Sequence, residues 1–404
     1  MEIAKSEVEL LLCSVKDIAK LYSSLLDKVK TQTLSISPTF SPTLIKNVLI
    51  VGCAIIVKET VNLNKLKNHM GILLDKQTTL SDSHYRRLTR FFDNHIAKRH
   101  LWKWLMIWVL DYVRRWDGRS LSRTRPGLFL TLDGTSWTFG QFKIQLLVLS
   151  LVYRGVSIPL CWVDLAKKGH SSQQERKRLF QIANKLYPLR GFCLLADREY
   201  VGRDWFAFLD ELGLLFIIRV SRQDYKAEIS QGDKSYGRLL KRALKGKIVS
   251  QSVVIGECRC TFVATCHQDG PESEDPLVLL LTNTSWSKQK VVERYRIRWC
   301  TECLFKHLKS NGFDLESLGF QNRQKIRLLV AIIVVLYVIC VGEGLKHFER
   351  IGRKRYKSGV VTRSVSVFRT GYSVVCNYLV TVELFVEWLI YAIRQKIKVP
   401  KPAI

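Results

Sequence analysis

From Leu10 to Val29 and again from Asn47 to Val61, apolar residues recur at mixed three- and four-residue spacing, the period of helices. Ser81 to Phe92 (SDSHYRRLTRFF) opens on capping residues and sets Arg86, Arg87 and Arg90 beside Leu88, Phe91 and Phe92, so a further helix is predicted. Thr89 to Val113 continues in the same style with Trp102, Trp104 and Trp108. A polar, basic stretch, Arg114 to Gly127, closes on Pro126-Gly127 and reads as a domain boundary. Beyond it the pattern changes to short apolar runs. Leu128–Leu132, Phe142–Tyr153, Val156–Val163, Phe192–Ala196 and Leu214–Val220 are predicted strands. Ser171 with Gln174 and Ser172 with Glu175 offer capping boxes for a helix to about Tyr187, and a second helix lies near Trp205–Leu212. Strands interleaved with helices predict an α/β core.

Gln223 to Lys247 is polar and basic, and Ile248–Cys266 and Pro276–Thr282 read as strands. Together they predict a β-rich insertion over about 223–288. Val291 to Ser310 is predicted as one helix. Leu328 to Gly342 (LLVAIIVVLYVICVG) is uncharged and almost wholly apolar. A membrane span needs about 20 such residues, and Lys325, Arg327, Glu343 and Lys346 bracket the run closely. A buried core helix is therefore expected, with a membrane span as the other reading. Arg350 to Arg363 is a basic loop, and the rest is a mixed, partly helical tail ending in Lys396, Lys398 and Lys401. The expected organisation is a helical domain over 1–120, a catalytic domain over 125–345 containing the insertion, and a basic C-terminal region over 346–404.

Charge narrows the class of partner. Lys and Arg number 64 against 35 Asp and Glu, a net +29 that calls for a polyanion, most commonly nucleic acid. The arginines of the Ser81–Phe92 helix can reach phosphates or base edges, or they form an ordinary solvated basic face. Eleven cysteines without framework spacing suit a reducing cytosol better than a disulfide scaffold. Glu2, Glu7 and Glu9 replace the basic start of a signal peptide, so none is expected. A cytoplasmic protein follows as the expectation.

The candidate chemistry begins with two aspartates. Asp133 follows one strand run (FLTLDGTSW) and Asp197 another (FCLLADREY). Strand ends are where open α/β sheets bind ligands. Two carboxylates gathered there repel unless a cation lies between them, and magnesium, a hard ion, takes such oxygen ligands. Singly, each is as readily a turn former. The third element is a helix: Tyr295, Arg298, Glu302 and Lys309 lie at offsets 0, 3, 7 and 14, within roughly a 60° arc of an α-helix. Trp299 and Lys306 flank the same face. A solvated helix with intrahelical pairs such as Arg298–Glu302 accounts for the charges but not for two aromatics beside them. An acid ringed by cations can complete a metal site while the cations, arginine above all, hold phosphates.

These residues resemble a known family. Tyr-x2-Arg-x3-Glu-x6-Lys is similar to the YREK signature of bacterial DDE transposases of the insertion-sequence-four group, Asp133 in LDGTSW resembles their first acid, and Asp197-Arg198-Glu199-Tyr200 resembles the motif holding the second. The resemblance covers roughly residues 125–345. It implies a ribonuclease-H-like catalytic domain, with Asp133, Asp197 and Glu302 binding magnesium (manganese able to substitute) for two-metal phosphoryl transfer. It also implies that Tyr295, Arg298 and Lys309, assisted by Arg198, grip the phosphate beside the cut in double-stranded DNA, at transposon ends and at the target. It further implies a homodimer pairing two DNA ends. In better-known relatives a Trp beside a Leu-Leu-Leu-Thr strand stacks on a flipped base. Here that position is Val278, and Trp286 lies close enough in sequence to substitute.

Cys258, Cys260, Cys266 and His267, or Cys300 and Cys303, lack the paired spacing of zinc sites and are read as free thiols. No glycine-rich phosphate loop suggests ATP. Two other readings stay open: a ribonuclease-H-like nuclease without strand transfer, and a non-catalytic DNA-binding derivative.

Overall fold

The computed structural model describes residues 40–73, 78–115, 128–139, 141–167, 169–186, 189–266, 275–355 and 361–378. The expected helix Leu10–Val29, most of the linker up to Gly127, His267, and the tail from 379 onward lie outside the described residues. Along the chain run α1 (Pro42–Lys58), α2 (Leu63–Leu73), α3 (Ser81–Asp93) and α4 (Trp102–Arg115), the last preceded by a π turn at Ala97–Leu101. Then come β1 (Phe129–Phe139), β2 (Phe142–Tyr153), β3 (Val156–Asp164), α5 (Gln173–Leu186), β4 (Cys193–Ala196), α6 (Arg203–Glu211) and β5 (Leu215–Arg219). These are followed by α7 (Lys226–Ser230), α8 (Tyr236–Leu244), β6 (Val249–Ile255), β7 (Cys258–Cys266), β8 (Leu277–Thr282) and α9 (Lys288–Tyr295). A 3-10 turn at Arg296–Arg298 leads into α10 (Trp299–Leu308), and the described chain closes with α11 (Arg323–Lys346), β9 (Arg353–Arg355), β10 (Val361–Arg363) and α12 (Val367–Tyr378).

The chain divides into two compact units. One comprises residues 122–138 and 143–305, and the other residues 1–121, 139–142 and 306–404. The first is built on an eight-stranded sheet of order β3-β2-β1-β4-β5-β8-β7-β6. β1, β4 and β5 run parallel, while β2–β3, β5–β8, β8–β7 and β7–β6 are antiparallel. The first five strands form an α/β core, as expected from the sequence. Central parallel strands are covered on both faces, so they read as continuous apolar runs rather than alternating ones, and Cys193–Ala196 is buried throughout. Phe216 stacks on Phe206 of α6 on one face. On the other, Cys193, Leu195, Ile217 and Leu280 form one cluster with Val291 of α9.

Two expected elements differ in the structure. The strand carrying Asp133 does not end there but continues to Phe139; only its parallel ladder with β4 stops at Leu132. The polar stretch that opens the insertion forms two helices, α7 and α8, and the insertion's strand β8 hydrogen-bonds to β5 and so extends the core sheet. The predicted single helix Val291–Ser310 is α9, a 3-10 turn and α10. Of the two capping boxes, Ser172 with Glu175 forms: the Ser172 hydroxyl accepts from the Glu175 N–H at 3.3 Å, and the Glu175 carboxylate accepts from the Ser172 N–H at 2.7 Å. Ser171 binds elsewhere.

In the helical unit, α11 is long and apolar enough to cross a membrane, but 94% of its apolar window is buried inside the fold. It is the core of this unit, packed by α4 and α12. Its approach to α12 depends on glycine at the crossing, where a Cβ on Gly371 would fall 1.7 Å from the Cys340 carbonyl oxygen and one on Gly344 1.9 Å from that of Val367.

Candidate active site

Leu132 of β1 pairs with Ala196 of β4, so Asp133, still in β1, and Asp197, just past the end of β4, are the next residues along two neighbouring parallel strands, whose axes lie about 4.8 Å apart. Side chains alternate along a strand. Thr131 and Asp133 of β1 therefore share a face, and Leu195 of β4 lies in the cluster packed on α9. Asp133 thus faces Arg298, 3.3 Å away, and the charge of Asp197 acts on the same guanidinium. Each is fixed locally in the same way: its Oδ1 accepts from the following backbone N–H, Gly134 or Arg198, at 2.8 Å.

A 3-10 turn at Arg296–Arg298 joins α9 to α10. In a 3-10 turn, side chains at i and i+3 eclipse, so Tyr295 and Arg298 stand one above the other. Arg298 donates to the Glu302 Oε1 at 2.6 Å and to the Asp133 Oδ2 at 3.3 Å. Its guanidinium therefore joins the helix acid to the strand acid. Burial works against the charge on Arg298, but Tyr295, Asp197, Asp133 and Glu302 outweigh it and hold the guanidinium above its ordinary range. Asp133 moves the other way. Burial pushes its carboxyl up to about 6, Arg298 and the Gly134 N–H oppose the rise, and the charges of Asp197 and Glu302 add to it. The Tyr295 phenol is raised, by burial first.

A buried hydroxyl cluster holds the two halves of this site in register. Thr301 donates to Thr131 at 2.6 Å, and Ser157 of β3 lies 3.4 Å from each. Thr301 immediately precedes Glu302, and Thr131 stands two residues before Asp133. A second support sits behind Asp197. Glu199 accepts from the Ser171 N–H and hydroxyl, both at 3.0 Å, and His170 lies 3.1 Å away. Arg176, itself buried, donates to Ser171 and lies over the Tyr200 ring at 5.0 Å. Neither support is visible in local sequence pattern, because its partners lie 26 to 170 residues apart. The signal available was hydroxyl and acid residues one or two positions from each candidate acid.

The other expected residues fall as follows. Trp299 is 64% exposed beside Arg298, and Arg198 and Lys306 are exposed. Lys309 follows the last residue of α10 and pairs with Glu316 at 3.2 Å, so it does not extend the helical face on which its spacing put it. Trp286 is half-buried, edge-on to Phe129 with the Lys290 ammonium over its ring at 4.8 Å. Val278 is buried in the core. The Sγ atoms of Cys258 and Cys260 lie 3.7 Å apart, both buried, and Cys300 donates to the Gly155 carbonyl.

Three carboxylates offer the oxygen donors that a hard divalent cation takes, and the raised Asp133 marks a charge that a cation would relieve. As the side chains stand, however, no group of three or more His, Cys, Asp and Glu among the described residues could hold a metal ion. Arg298 supplies the positive charge between Asp133 and Glu302 instead.

An α/β sheet with paired strand acids and a helix acid is the architecture of a DDE-type phosphoryl-transfer domain. Residues 124–339, more than half of the chain, match the family described as transposase DDE domain, and the chain belongs to that family. DNA transposition is accordingly the general class of its activity. Among solved structures, it is similar to the piggyBac transposase synaptic complex with hairpin DNA, at 13% identity and a TM-score of 0.44 over 98% of this chain and 86% of that one. No curated protein matches the chain.

Proposed function

We propose that the chain is a cut-and-paste DNA transposase of the YREK type, acting in the bacterial cytoplasm on chromosomal or plasmid DNA, in which Asp133, Asp197 and Glu302 hold magnesium or manganese. The observation that carries this reading is the convergence of the three acids on Arg298, which touches Asp133 and Glu302 and feels the charge of Asp197. When bound, the metal supplies activation of water or a DNA 3′-hydroxyl and offsets charge on the leaving oxygen.

The chain's own residues do the remainder. Arg298 contacts Asp133 and Glu302, the oxygens a divalent cation would also take, and its guanidinium would hold a phosphate beside the cut in bidentate fashion. Tyr295 backs that guanidinium, and the Thr131–Thr301 bond keeps Glu302 opposite Asp133. Exposed Trp299 and the cations Arg198, Lys306 and Lys309 bind flanking DNA, and Trp286 serves as a stacking surface for a base. The helical segment before residue 120 contributes DNA binding, and two copies pair two ends.

Incubation of the full chain with its element's terminal DNA, a target plasmid and magnesium tests the reading. End DNA covalently joined to target is the expected product. Cleaved ends with no joined product at any target concentration would favour the nuclease.

A further inference from the structure

β9 and β10 form a two-stranded ribbon, separate from the main sheet, that buries almost nothing. Arg353, Lys354, Arg355, Val361 and Thr362 are exposed, and only Arg363 is half-buried. Such a ribbon is marginal by itself in water, because no apolar face repays its ordering. Its register makes matters worse: Arg353 stands directly opposite Arg363, Lys354 opposite Thr362, and Arg355 opposite Val361. Like charges directly across an antiparallel pair destabilise it. Cross-strand partners share a face and residues two apart share a face, so Arg353, Arg355 and Arg363 all stand on one side. The segment Arg350–Arg363 contains six Lys or Arg and no acid. The nearby carboxylate is Glu349, which acts on Arg363 from outside the ribbon. The Arg363 guanidinium lies 3.6 Å from the centre of the Phe348 ring, which holds it in one place. Burial, then the charge of Arg353, holds Arg363 below its ordinary range.

An arrangement that raises the energy of the free protein but presents three forked donors on one face suits an extended polyanion. Arg353 and Arg355 are about 7 Å apart along the strand, a separation comparable to that of neighbouring phosphates on one DNA strand, and arginine forks match phosphate geometry. We infer that the Arg353–Arg355–Arg363 face of the β9–β10 ribbon is a second DNA-backbone site, distinct in residues from the acid-bearing centre and gripping duplex phosphates without reading sequence. The inference rests on the chain acting on DNA and extends that reading to a surface with no part in the chemistry.

The test is binding of the full chain to a fluorescein-labelled duplex in EDTA, where no cutting occurs, followed by anisotropy across a potassium chloride series. Each phosphate contact contributes about 0.9 to the slope of log K against log salt. The double variant Arg353→Ala/Arg355→Ala is therefore expected to lose about 1.8 from that slope and to bind about tenfold or more weakly at low salt. Arg353→Lys/Arg355→Lys, which keeps the charge, should retain the slope. Lys354→Ala, on the opposite face, should lose less than half as much as the double alanine variant. A wild-type slope in the alanine variant, an equal loss in Lys354→Ala, or loss of slope in the lysine variant would each overturn the inference. So would a loss confined to binding of anionic phosphatidylglycerol vesicles. Failure here with normal joining of end DNA leaves the catalytic reading standing. Normal ribbon-dependent binding with no cutting sinks the catalytic reading instead.

Discussion

Asp133 is a destabilising charge in the metal-free chain, and neutralising it should make the protein more stable while ending its activity. Its carboxyl is pushed up from an ordinary 3.8 to about 6, by burial first. A tenfold change in proton affinity is worth about 1.4 kcal/mol, so the ionised carboxylate carries a penalty of about 3 kcal/mol relative to the unfolded chain. Below pH 3.8 both states hold the proton and the penalty is absent. Between 3.8 and about 6 the folded chain binds more protons than the unfolded one, so stability falls as pH rises, and the full penalty stands above that window. Asparagine keeps the shape of Asp133 without the charge, and Arg298 retains Glu302 as its partner at 2.6 Å. Thermal melts in EDTA from pH 4.5 to 8 read the effect. At pH 7.5 Asp133→Asn should raise Tm by several degrees, since 1 kcal/mol moves a domain of 150–250 residues by about 2–4 °C. At pH 4.5 the gap should shrink. Saturating magnesium should raise the wild-type Tm by mass action and leave the variant nearly unmoved. A variant less stable than wild type at pH 7.5, or a gap independent of pH, would refute the reasoning.

Three further outcomes are expected. Thr301→Val removes a buried hydroxyl bonded to Thr131 at 2.6 Å and should cost about 1–3 kcal/mol in chemical denaturation, with end cleavage slowed more than DNA affinity is weakened; Thr301→Ser should restore both. Arg298→Ala should bind manganese more tightly than wild type by calorimetry, because the guanidinium no longer competes for Asp133 and Glu302, yet cut end DNA poorly; unchanged manganese affinity would show that the arginine does not share the acids with the metal. Gly371→Ala drives a Cβ into the Cys340 carbonyl and should cost about 1–3 kcal/mol or more as α12 is forced off α11, whereas a melt identical to wild type would show that the crossing can relax.

What could be read from the residues was what local period encodes. The helices in which Asn47–Lys58, Ser81–Asp93 and Trp102–Val113 lie, the strands around Asp133 and Asp197, and the apolar core helix follow from spacing within a dozen positions. The 3-10 turn at Arg296–Arg298 could not be read, because α and 3-10 segments share the i, i+3 neighbour that makes Tyr295 and Arg298 look helical. Nor could the joining of β8 to β5, a pairing between Ile217 and Thr282 set by sheet register rather than by local pattern. The Arg298–Glu302 pair is visible at four-residue spacing, but the Asp133 contact that turns it into a bridge spans 165 residues. The Thr131–Thr301 bond spans 170. Lys309 shows the limit of extrapolating a helical face: the helix ends one residue earlier, and the side chain pairs with Glu316.

The catalytic triad is tested most directly by a single-turnover cleavage assay with end DNA and magnesium, comparing wild type with Asp133→Ala, Asp197→Ala and Glu302→Ala, each first shown to bind that DNA in EDTA as wild type does. The three acids acting as one site predicts that every single variant loses cleavage by at least about a thousandfold, and that combining them loses little more, as residues working as a unit do. Any one of the three cutting at the wild-type rate would contradict the account.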